Sequence, residues 1–410
     1  VFTFLSIATQ LVAQRNCGTA GYWQQQLSSD AALRERYISM NIQAGRISKK
    51  ETGNNISDLP VITIPVVVHV LYNTDNQRIS ILQVQSQIDA LNRDFRKQNT
   101  DTVNIPKAFS AYAADCSIMF ELAKVDPDGY ATTGIVYKKT NETSWQQDNK
   151  MKFSATGGNN AWDTRYYLNI WVCNLSKNLL GYSTFPGSNP DKDGVVIRTD
   201  VFGTIGNGSS AYSKGRTTIH EVGHWLNLKH LWGDMDCGDD GVDDTPQQKT
   251  YNSGCPSFPK ITPGSCNMSV SGEMYMNYMD FSDDACILMF THGQKQRMRS
   301  LFLEGGARAD ILHSYALGEP WQTKLPDENK ISSPDNAGIF PNPVTNTIYL
   351  KNKEGNTIIP DEYRIYNAQG QLMLYGQRSS VIYTGKLSTG IYFMRIQYAG
   401  GQRVIKFVKE

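Results

Sequence analysis

The 410-residue sequence lacks long hydrophobic runs and lacks an excess of charge of either sign. Its 40 basic and 39 acidic side chains leave a net charge of +1, and the basic residues are scattered. No basic run is interleaved with aromatic residues, so nothing indicates nucleic-acid binding, which needs a concentrated basic surface. The only sizeable apolar stretch, residues 1–14, is too short to span a bilayer. No transmembrane helix is therefore expected.

That apolar stretch, "VFTFLSIATQLVAQ", is typical of the apolar part of a secretory signal peptide whose first residues precede the sequence given. A buried core strand is the alternative. A lipid anchor on Cys17 is disfavoured, because "AQRNC" lacks the small residues expected before a lipidated cysteine. Export would place the seven cysteines in an oxidising compartment.

Four cysteines fall within fifty residues of one another, and they contain no C-x-x-C pair: Cys237, Cys255, Cys266 and Cys286. Two disulfides or a four-cysteine zinc site would both use them. The missing C-x-x-C spacing favours disulfides. The sequence alone leaves all three pairings open.

The length predicts two or three domains, and changes in composition suggest where they end. Residues 15–57 are polar with a helical stretch around 22–41, and their basic residues Arg46, Lys49 and Lys50 precede "ETGNNISD". We interpret them as a pro-segment with a cleavable joint. Residues 58–317 form the main domain, 318–337 a linker, and 338–410 a small domain of short alternating strands.

The main domain is expected to be mixed α/β. Apolar runs predict a central strand at 61–73 and further strands at 117–125, 134–138 and 168–175. A helix capped by Ser80 follows the first strand, and "THGQKQRMRSLFLEG" predicts a closing helix. Residues 233–285 show little periodicity, so they need disulfides or ions to stay ordered.

Three of the six histidines stand in "HEVGHWLNLKH", residues 220–230. On a helix, His220 and His224 lie one turn apart on the same face. His230 would point away on an uninterrupted helix, so the chain must turn sharply before it. Asn227 stands at the turn, and asparagine is second only to glycine in tolerating positive φ.

Three imidazoles leave one coordination position open on Zn²⁺, as a catalytic site requires. Glu221 would lie beside the metal without binding it. A chance histidine pair, or a capping box of Thr218 with Glu221, is the structural alternative. The spacing H-E-x-x-H-x-x-N-x-x-H fixes five positions at once and favours the metal site.

Residues 60–315 resemble the pappalysin family of metzincin metallopeptidases. The resemblance rests on "HEVGHWLNLKH", on "GVDDTP" at 241–246 and on "NYMDFSDDACILMFT" at 277–291. It implies a mixed sheet with an active-site helix, zinc on the three histidines, and Glu221 as general base and acid. It also implies that Met279 lies in a tight turn beneath the metal.

The same resemblance implies a substrate preference and contains one departure. Asp284 matches an acid in the pocket for the residue after the scissile bond, which implies cleavage before Arg or Lys. A solvated surface aspartate is the alternative. Related enzymes usually carry a tyrosine where this chain has Phe281, so either another donor serves or turnover is lower.

Further features are implied by the family. Its disulfides would correspond to Cys237–Cys266 and Cys255–Cys286. Structural calcium would bind near "GDMDCGDDGVDDTP", with Asp240, Asp244 and Thr245 as candidate ligands, although an ordinary acidic loop is an alternative. "RNCGT" resembles a latency motif in which Cys17 would occupy the fourth zinc position; a simple unpaired or disulfide-bonded cysteine is the alternative.

The last domain resembles the C-terminal sorting domain of type IX secretion, on "PNP", "YNAQGQ", "STGIYFMRI" and "KFVKE". A carbohydrate-binding sandwich is the alternative. Partners would then be the type IX machinery and peptide or protein substrates, with the protein secreted or at the cell surface by way of the periplasm and outer membrane.

We therefore expect a monomeric, secreted zinc endopeptidase made as a latent zymogen, with substrates adding as a strand near an exposed sheet edge at 193–204. A non-catalytic zinc-containing surface adhesin is the rival from another class. A gluzincin with a glutamate as third ligand is weakened by the position of His230.

Overall fold

The computed structural model describes most of the chain outside the first fourteen residues. The ranges are 15–50, 60–176, 179–206, 211–264, 266, 270–322, 337–352, 355, 357–377, 379–398 and 401–410. The proposed signal peptide, the end of the pro-segment and most of the linker lie outside them. The chain forms two compact units, Val1–Thr323 and Lys324–Glu410.

A long strand, β1 (Ile62–Tyr72), occupies the centre of the first unit's sheet. Its apolar run is buried on both faces, which is typical of a central parallel strand. On one side it pairs in parallel with β2 (Ile118–Leu122) and β3 (Ile135–Lys139). On the other it pairs in parallel with β4 (Leu168–Cys173), so the predicted central strand and its three successors are confirmed.

The sheet continues from β4 to β6 (Val195–Arg198), and then to the short antiparallel strand β5 (Gly181–Ser183). The strand order is β2-β1-β4-β6-β5. The expectation that residues 193–204 form the exposed edge is wrong, because β6 is paired on both sides. On this side of the sheet the outermost strand is β5, which follows β4 in the chain and runs antiparallel to β6.

Helices cover one face of the sheet. Alternate residues of β1, β4 and β6 pack there against α3 (Ile81–Phe95) and α5 (Arg216–Trp225). The Ser80 hydroxyl caps α3 by accepting the Gln83 amide at 3.1 Å, as predicted. The remaining helices of the main domain are α4 (Lys107–Ser110) and the closing helix α6 (His292–Arg299).

The residues that precede β1 form two helices, α1 (Thr19–Ser29) and α2 (Ala31–Lys50). Asp30 separates them, and its carboxylate accepts the amide of Leu33 at 2.9 Å. Trp23 and Leu33 pack on Phe185, just after β5, so the two helices are anchored to the main domain by apolar contacts.

The poorly periodic region between α5 and α6 is held by both disulfides that the family resemblance implies. Cys237–Cys266 and Cys255–Cys286 have Cα separations of 5.5 and 5.6 Å. The four cysteines therefore do not form a zinc site. Cys116 and Cys173 are buried and unpaired.

The second unit is all β, as predicted. One antiparallel sheet has the order β10-β9-β12-β13 and the other the order β11-β8-β7. Both contribute to one apolar core, so they form a sandwich. The strands are β7 (Gly338–Phe340), β8 (Thr347–Lys351), β9 (Glu362–Asn367), β10 (Leu372–Gln377), β11 (Val381–Tyr383), β12 (Gly390–Tyr398) and β13 (Gly401–Lys409). Among the described residues, no helix has the length and apolarity needed to cross a membrane.

Candidate metal centre

The helix α5 positions the first two histidines. It begins after Gly215, whose φ of 74° reverses the chain before the helix starts. Ile219 and Val222 pack into the main core, so His220 and His224 are fixed on another face. Thr218 lies inside the helix and donates to Gln87 Oε1 at 2.9 Å, which excludes the capping-box alternative.

A sharp turn after α5 brings back the third histidine. Asn227 has a φ of 73°, the left-handed conformation that the sequence predicts for this position. The amide of Leu228 donates to the carbonyl of Gly223 at 2.9 Å and closes the helix end. Because the chain reverses here, His230 points back towards the helix.

The three imidazoles converge on one point. Nε2 of His220 lies 3.2 Å from Nε2 of both His224 and His230, and the last two are 3.1 Å apart. Each Nδ1 donates outwards: His220 to the carbonyl of Tyr278 and His224 to the carbonyl of Leu228, both at 2.7 Å, and His230 to the carboxylate of Asp234. These bonds hold the three Nε2 lone pairs towards one another.

Such an arrangement suits a cation. Burial lowers the pKa of His220 well below its usual value, and the charges of the neighbouring histidines lower it further. Burial also lowers the pKa of His224 to about 3. The rings of His220 and His224 are therefore neutral at pH 7. Three converging lone pairs repel one another unless a metal ion accepts them, and three neutral imidazoles are a common zinc ligand set. The residues fit Zn²⁺.

Glu221 lies beside this point in a buried position. Its Oε2 accepts the hydroxyl of Thr19 at 2.7 Å, and its Oε1 is buried without a hydrogen-bond partner among the described residues. Burial raises the pKa of Glu221 to about 7. A carboxyl group with this pKa can both take and return a proton near neutral pH.

The floor of the site is Met279, which is fully buried. A Cβ on Gly223 of α5 would come within 2.5 Å of its sulfur, so the helix and Met279 pack too closely for any side chain there. Phe281 is next to the histidines, with its ring centre 4.9 Å from that of His230. Trp232 stacks on the His230 ring at 4.4 Å.

Cys17 completes the cluster from the N-terminal segment. Its Sγ lies 3.5 Å from Nε2 of His224, and the ligand atoms of Cys17 and the three histidines all lie within 4.8 Å of one another. Burial raises the pKa of the Cys17 thiol well above its usual value, and the nearby charge of Glu221 raises it further. A bound divalent cation would reverse that and favour the thiolate.

The segment around Cys17 joins the edge of the sheet through an isolated parallel β-bridge between Cys17 and Gly181. Gly18 donates its amide to the carbonyl of Gly181 at 2.9 Å, and Leu180 donates to the carbonyl of Asn16 at 3.0 Å. The β5 edge of the sheet is therefore occupied by residues 16–18.

Asp284 is buried next to the site and is paired with a cation. Its Oδ1 accepts the guanidinium of Arg15 at 2.5 Å, and both side chains are 1% exposed. Its Oδ2 accepts the backbone amides of Lys214 and Arg216 at 2.8 and 3.2 Å. The solvated-surface alternative for Asp284 is therefore wrong.

The candidate calcium ligands already have protein partners. Asp240 accepts the amide of Val242 and the hydroxyl of Thr245, at 3.0 and 2.8 Å. Asp244 accepts the hydroxyl of Thr291 and the amide of Gly293 at the start of α6. Among the described residues, the histidine–cysteine cluster is the one group whose geometry suits a metal ion.

Three contributors to the site do not emerge from the zinc motif. Arg15 stands two residues before Cys17 within "RNCGT", so a charge of the right sign was visible there. Asp234 follows His230 by four residues, and its role depends on the turn after Trp232. Thr19 gave no signal, because its bond to Glu221 joins residues 202 positions apart.

Comparison with known proteins agrees with these observations. The family model described as "Pregnancy-associated plasma protein-A", Peptidase M43, matches residues 153–303. The secretion system C-terminal sorting domain model matches residues 338–410. An extracellular metalloprotease of Arthroderma benhamiae is 33% identical over 72% of this chain and 87% of its own length. One of Pyricularia oryzae is 36% identical, over 48% of this chain and 70% of its own length.

Solved structures of mirolysin from Tannerella forsythia are also similar. A promirolysin variant shares 44% identity over 75% of this chain and 99% of its own length, with a TM-score of 0.67. Mature mirolysin in complex with a cleaved peptide shares 50% identity, covering 64% of this chain and 100% of that one, with a TM-score of 0.62.

Proposed function

Because this chain belongs to the pappalysin (M43) family of extracellular zinc metallopeptidases, we propose that its mature form cleaves peptide bonds that precede Arg or Lys. The enzyme is a metalloendopeptidase that is made as a zymogen and is secreted or displayed at the cell surface. The retained histidines and Glu221 argue against a non-catalytic adhesin.

The observation that carries this specificity is the pair of Arg15 and Asp284. A buried carboxylate is costly unless it is paired, and here the partner is an arginine supplied by the N-terminal segment. When that segment leaves, Asp284 keeps its two backbone donors but loses its cation. An Arg or Lys side chain of a substrate would restore the ion pair in the same pocket.

The reaction follows from the residues around the cluster. His220, His224 and His230 would hold the catalytic zinc, which when bound acts as a Lewis acid towards the scissile carbonyl and acidifies water. Glu221 takes the proton of the attacking water on its Oε2, the carboxylate oxygen that accepts the Thr19 hydroxyl in this structure, and then delivers the proton to the leaving amine. Met279 supports the site from below, and Asn227 keeps His230 in place.

Latency would come from residues 15–57 as the pro-segment. Cys17 would take the fourth zinc position, Arg15 would fill the specificity pocket, and Thr19 would engage Glu221. Three functional groups are thus occupied by one short stretch. The basic residues Arg46, Lys49 and Lys50 would suit self-cleavage by an enzyme that prefers Arg or Lys. Residues 338–410 would direct export through the type IX machinery.

The specificity is tested by substituting Asp284 in the activated enzyme. Asp284→Asn should lower kcat/KM for peptides with Arg after the scissile bond by about 100-fold, since a buried charge pair is worth about 3 kcal/mol. Peptides with Ala at that position should change by less than about threefold. The assay is cleavage-site mapping by mass spectrometry on a mixed peptide library.

Glu221→Ala is the inert control: it should bind zinc normally and cleave nothing. Full cleavage by Glu221→Ala would contradict the assigned base. Retention of the Arg preference by Asp284→Asn would contradict the assigned pocket while leaving the peptidase activity intact.

Structural calcium is a further part of the proposal, with Asp240, Asp244 and Thr245 as candidate ligands near the active site. Their hard oxygen atoms suit Ca²⁺, and a cation there would displace part of their present hydrogen bonding. We expect millimolar Ca²⁺ to raise the melting temperature of the activated enzyme by several degrees. An unchanged melting temperature in Ca²⁺ and in a calcium chelator would contradict it.

A further inference from the structure

An aromatic cage surrounds a buried lysine on the face of the sheet opposite α5. Lys152 is fully buried, and its Nζ lies 5.2 Å from the ring centres of both Trp171 and Tyr182. Its Nζ donates to the carbonyl of Lys192 at 2.6 Å. A protonated amine over aromatic faces is attracted by the negative electrostatic potential of the ring faces. The mechanism proposed above does not use this group.

The third wall of the cage belongs to the N-terminal segment. The ring centre of Tyr22 lies 5.9 Å from Lys152 Nζ and 5.3 Å from the ring centre of Tyr182. Asn149 Nδ2 donates to the hydroxyl of Tyr22 at 3.1 Å. Asn149 is 6% exposed, and its Oδ1 has no hydrogen-bond partner among the described residues. The space filled by Tyr22 is thus a formed pocket with its own polar groups.

The pocket lies along β5, the edge strand that residues 16–18 occupy. Tyr182 stands in β5 between Gly181, whose carbonyl accepts the amide of Gly18, and Ser183, whose amide donates to the Thr19 hydroxyl at 2.8 Å. Arg15 and Tyr22 lie on opposite sides of Cys17 in the sequence. If Asp284 takes the residue after the scissile bond, the pocket of Tyr22 lies on the side of the residues before it.

We infer that the pocket occupied by Tyr22 becomes a substrate subsite in the mature enzyme, selecting a tyrosine upstream of the scissile bond. This inference rests on the proposed function, which requires that residues 15–57 leave and that Asp284 binds the following residue. The rings of Trp171 and Tyr182 and the Nζ of Lys152 then lose their cover. A tyrosine restores both the ring contact and the bond from Asn149, whereas an aliphatic side chain restores neither.

The test uses activated enzyme and peptides cut at one Arg-preceding bond, with Tyr, Phe or Ala placed at each upstream position in turn. If the library shows another preferred bond, the same scan uses that bond, so the two proposals fail separately. At one upstream position kcat/KM should be about tenfold higher for Tyr than for Ala, with Phe between them.

Two variants assign this preference to the cage. Lys152→Met should reduce the ratio of kcat/KM for the Tyr peptide to that for the Ala peptide, both measured on the variant, to about threefold or less. Asn149→Gly, which suits the φ of 64° at this position, should abolish the preference for Tyr over Phe, and both peptides should still be cut faster than the Ala peptide. The matched control is Lys150→Met, in which a 64% exposed lysine side chain of the same turn is changed without effect.

A synthetic peptide of residues 15–29 tests the remaining alternative, in which the pocket binds only the pro-segment and no substrate. If its Tyr22→Ala form inhibits the mature enzyme less well and yet no upstream position favours Tyr, the pocket serves only the zymogen and the inference is overturned. Equal cutting of the Tyr and Ala peptides, or a preference that survives Lys152→Met, overturns it as well.

Discussion

Single residues in this protein act mainly through burial. Glu221 and Asp284 are both buried carboxylates, and their surroundings give them different properties. Glu221 has one hydrogen-bond donor on one oxygen, so burial raises its pKa to about 7 and suits it to move a proton. Asp284 accepts hydrogen bonds from two backbone amides and a guanidinium, and this arrangement suits it to bind a cationic side chain. Environment, rather than residue type, separates the two roles.

His69 provides a pH test at the residue scale. Burial lowers its pKa to about 4, below the usual 6.5, while Nε2 donates to Asn169 and Nδ1 accepts from Asn159. The unfolded chain binds more protons between these values, so stability is full above about pH 6.5 and falls as the pH drops towards 4. The loss should reach about 3 kcal/mol.

Urea unfolding of the wild type and of His69→Gln between pH 4 and 7 measures this loss. The variant lacks the titrating ring, so its unfolding free energy should fall less over this range. Parallel pH profiles for the two proteins would show that His69 does not account for the loss.

At the scale of elements, the site depends on where α5 ends. Ten helical residues present two histidines, and the turn at Asn227 presents the third. A hydrogen bond from α6 also holds the turn, because Arg297 Nε donates to the carbonyl of Asn227 at 2.7 Å. The end of one helix and the side of another therefore fix the distance between His224 and His230.

Substituting Asn227 tests this dependence. Asn227→Gly should keep zinc affinity within about twofold, because glycine adopts positive φ freely. Asn227→Ala should strain the turn by about 1 kcal/mol and weaken zinc binding by about fivefold. Competition with a chromogenic chelator measures both affinities in the activated enzyme. Equal affinities for the two variants would show that the turn does not depend on the conformation of residue 227.

At the scale of the whole molecule, catalysis and export belong to separate units. The first unit contains the histidine cluster and its own core, and the second has an independent sandwich core that matches a sorting domain. Each unit has a hydrophobic core of its own. The two functions should therefore be separable by truncation.

A chain that ends at residue 322 should keep kcat/KM within about twofold after activation. In a host with a type IX secretion system it should remain inside the cell, whereas the full chain reaches the medium or the surface. Immunoblots of cell fractions and peptide hydrolysis by purified protein give the two readouts. Normal export of the truncated chain would contradict the role of residues 338–410.

Several elements of this protein and the geometry of its histidine cluster could be predicted from the sequence alone. Apolar runs placed β1 to β4, Ser80 marked the start of α3, and the spacing of three histidines with one asparagine predicted both the helix and its turn. These are local patterns, and each depends on residues a few positions apart. They also sufficed for the division into an α/β unit and an all-β unit.

Only the tertiary structure decided which groups meet across the chain. The edge strand is β5 rather than β6, Asp284 is buried against Arg15, and Tyr22 completes a cage around Lys152. Arg15 and Asp284 are 269 positions apart, and no local pattern specifies such a pairing. Strand order and the path of the N-terminal segment bring these residues together. The physical reason is that the burial of apolar surface and the pairing of buried charges depend on the whole fold, and not on any single segment.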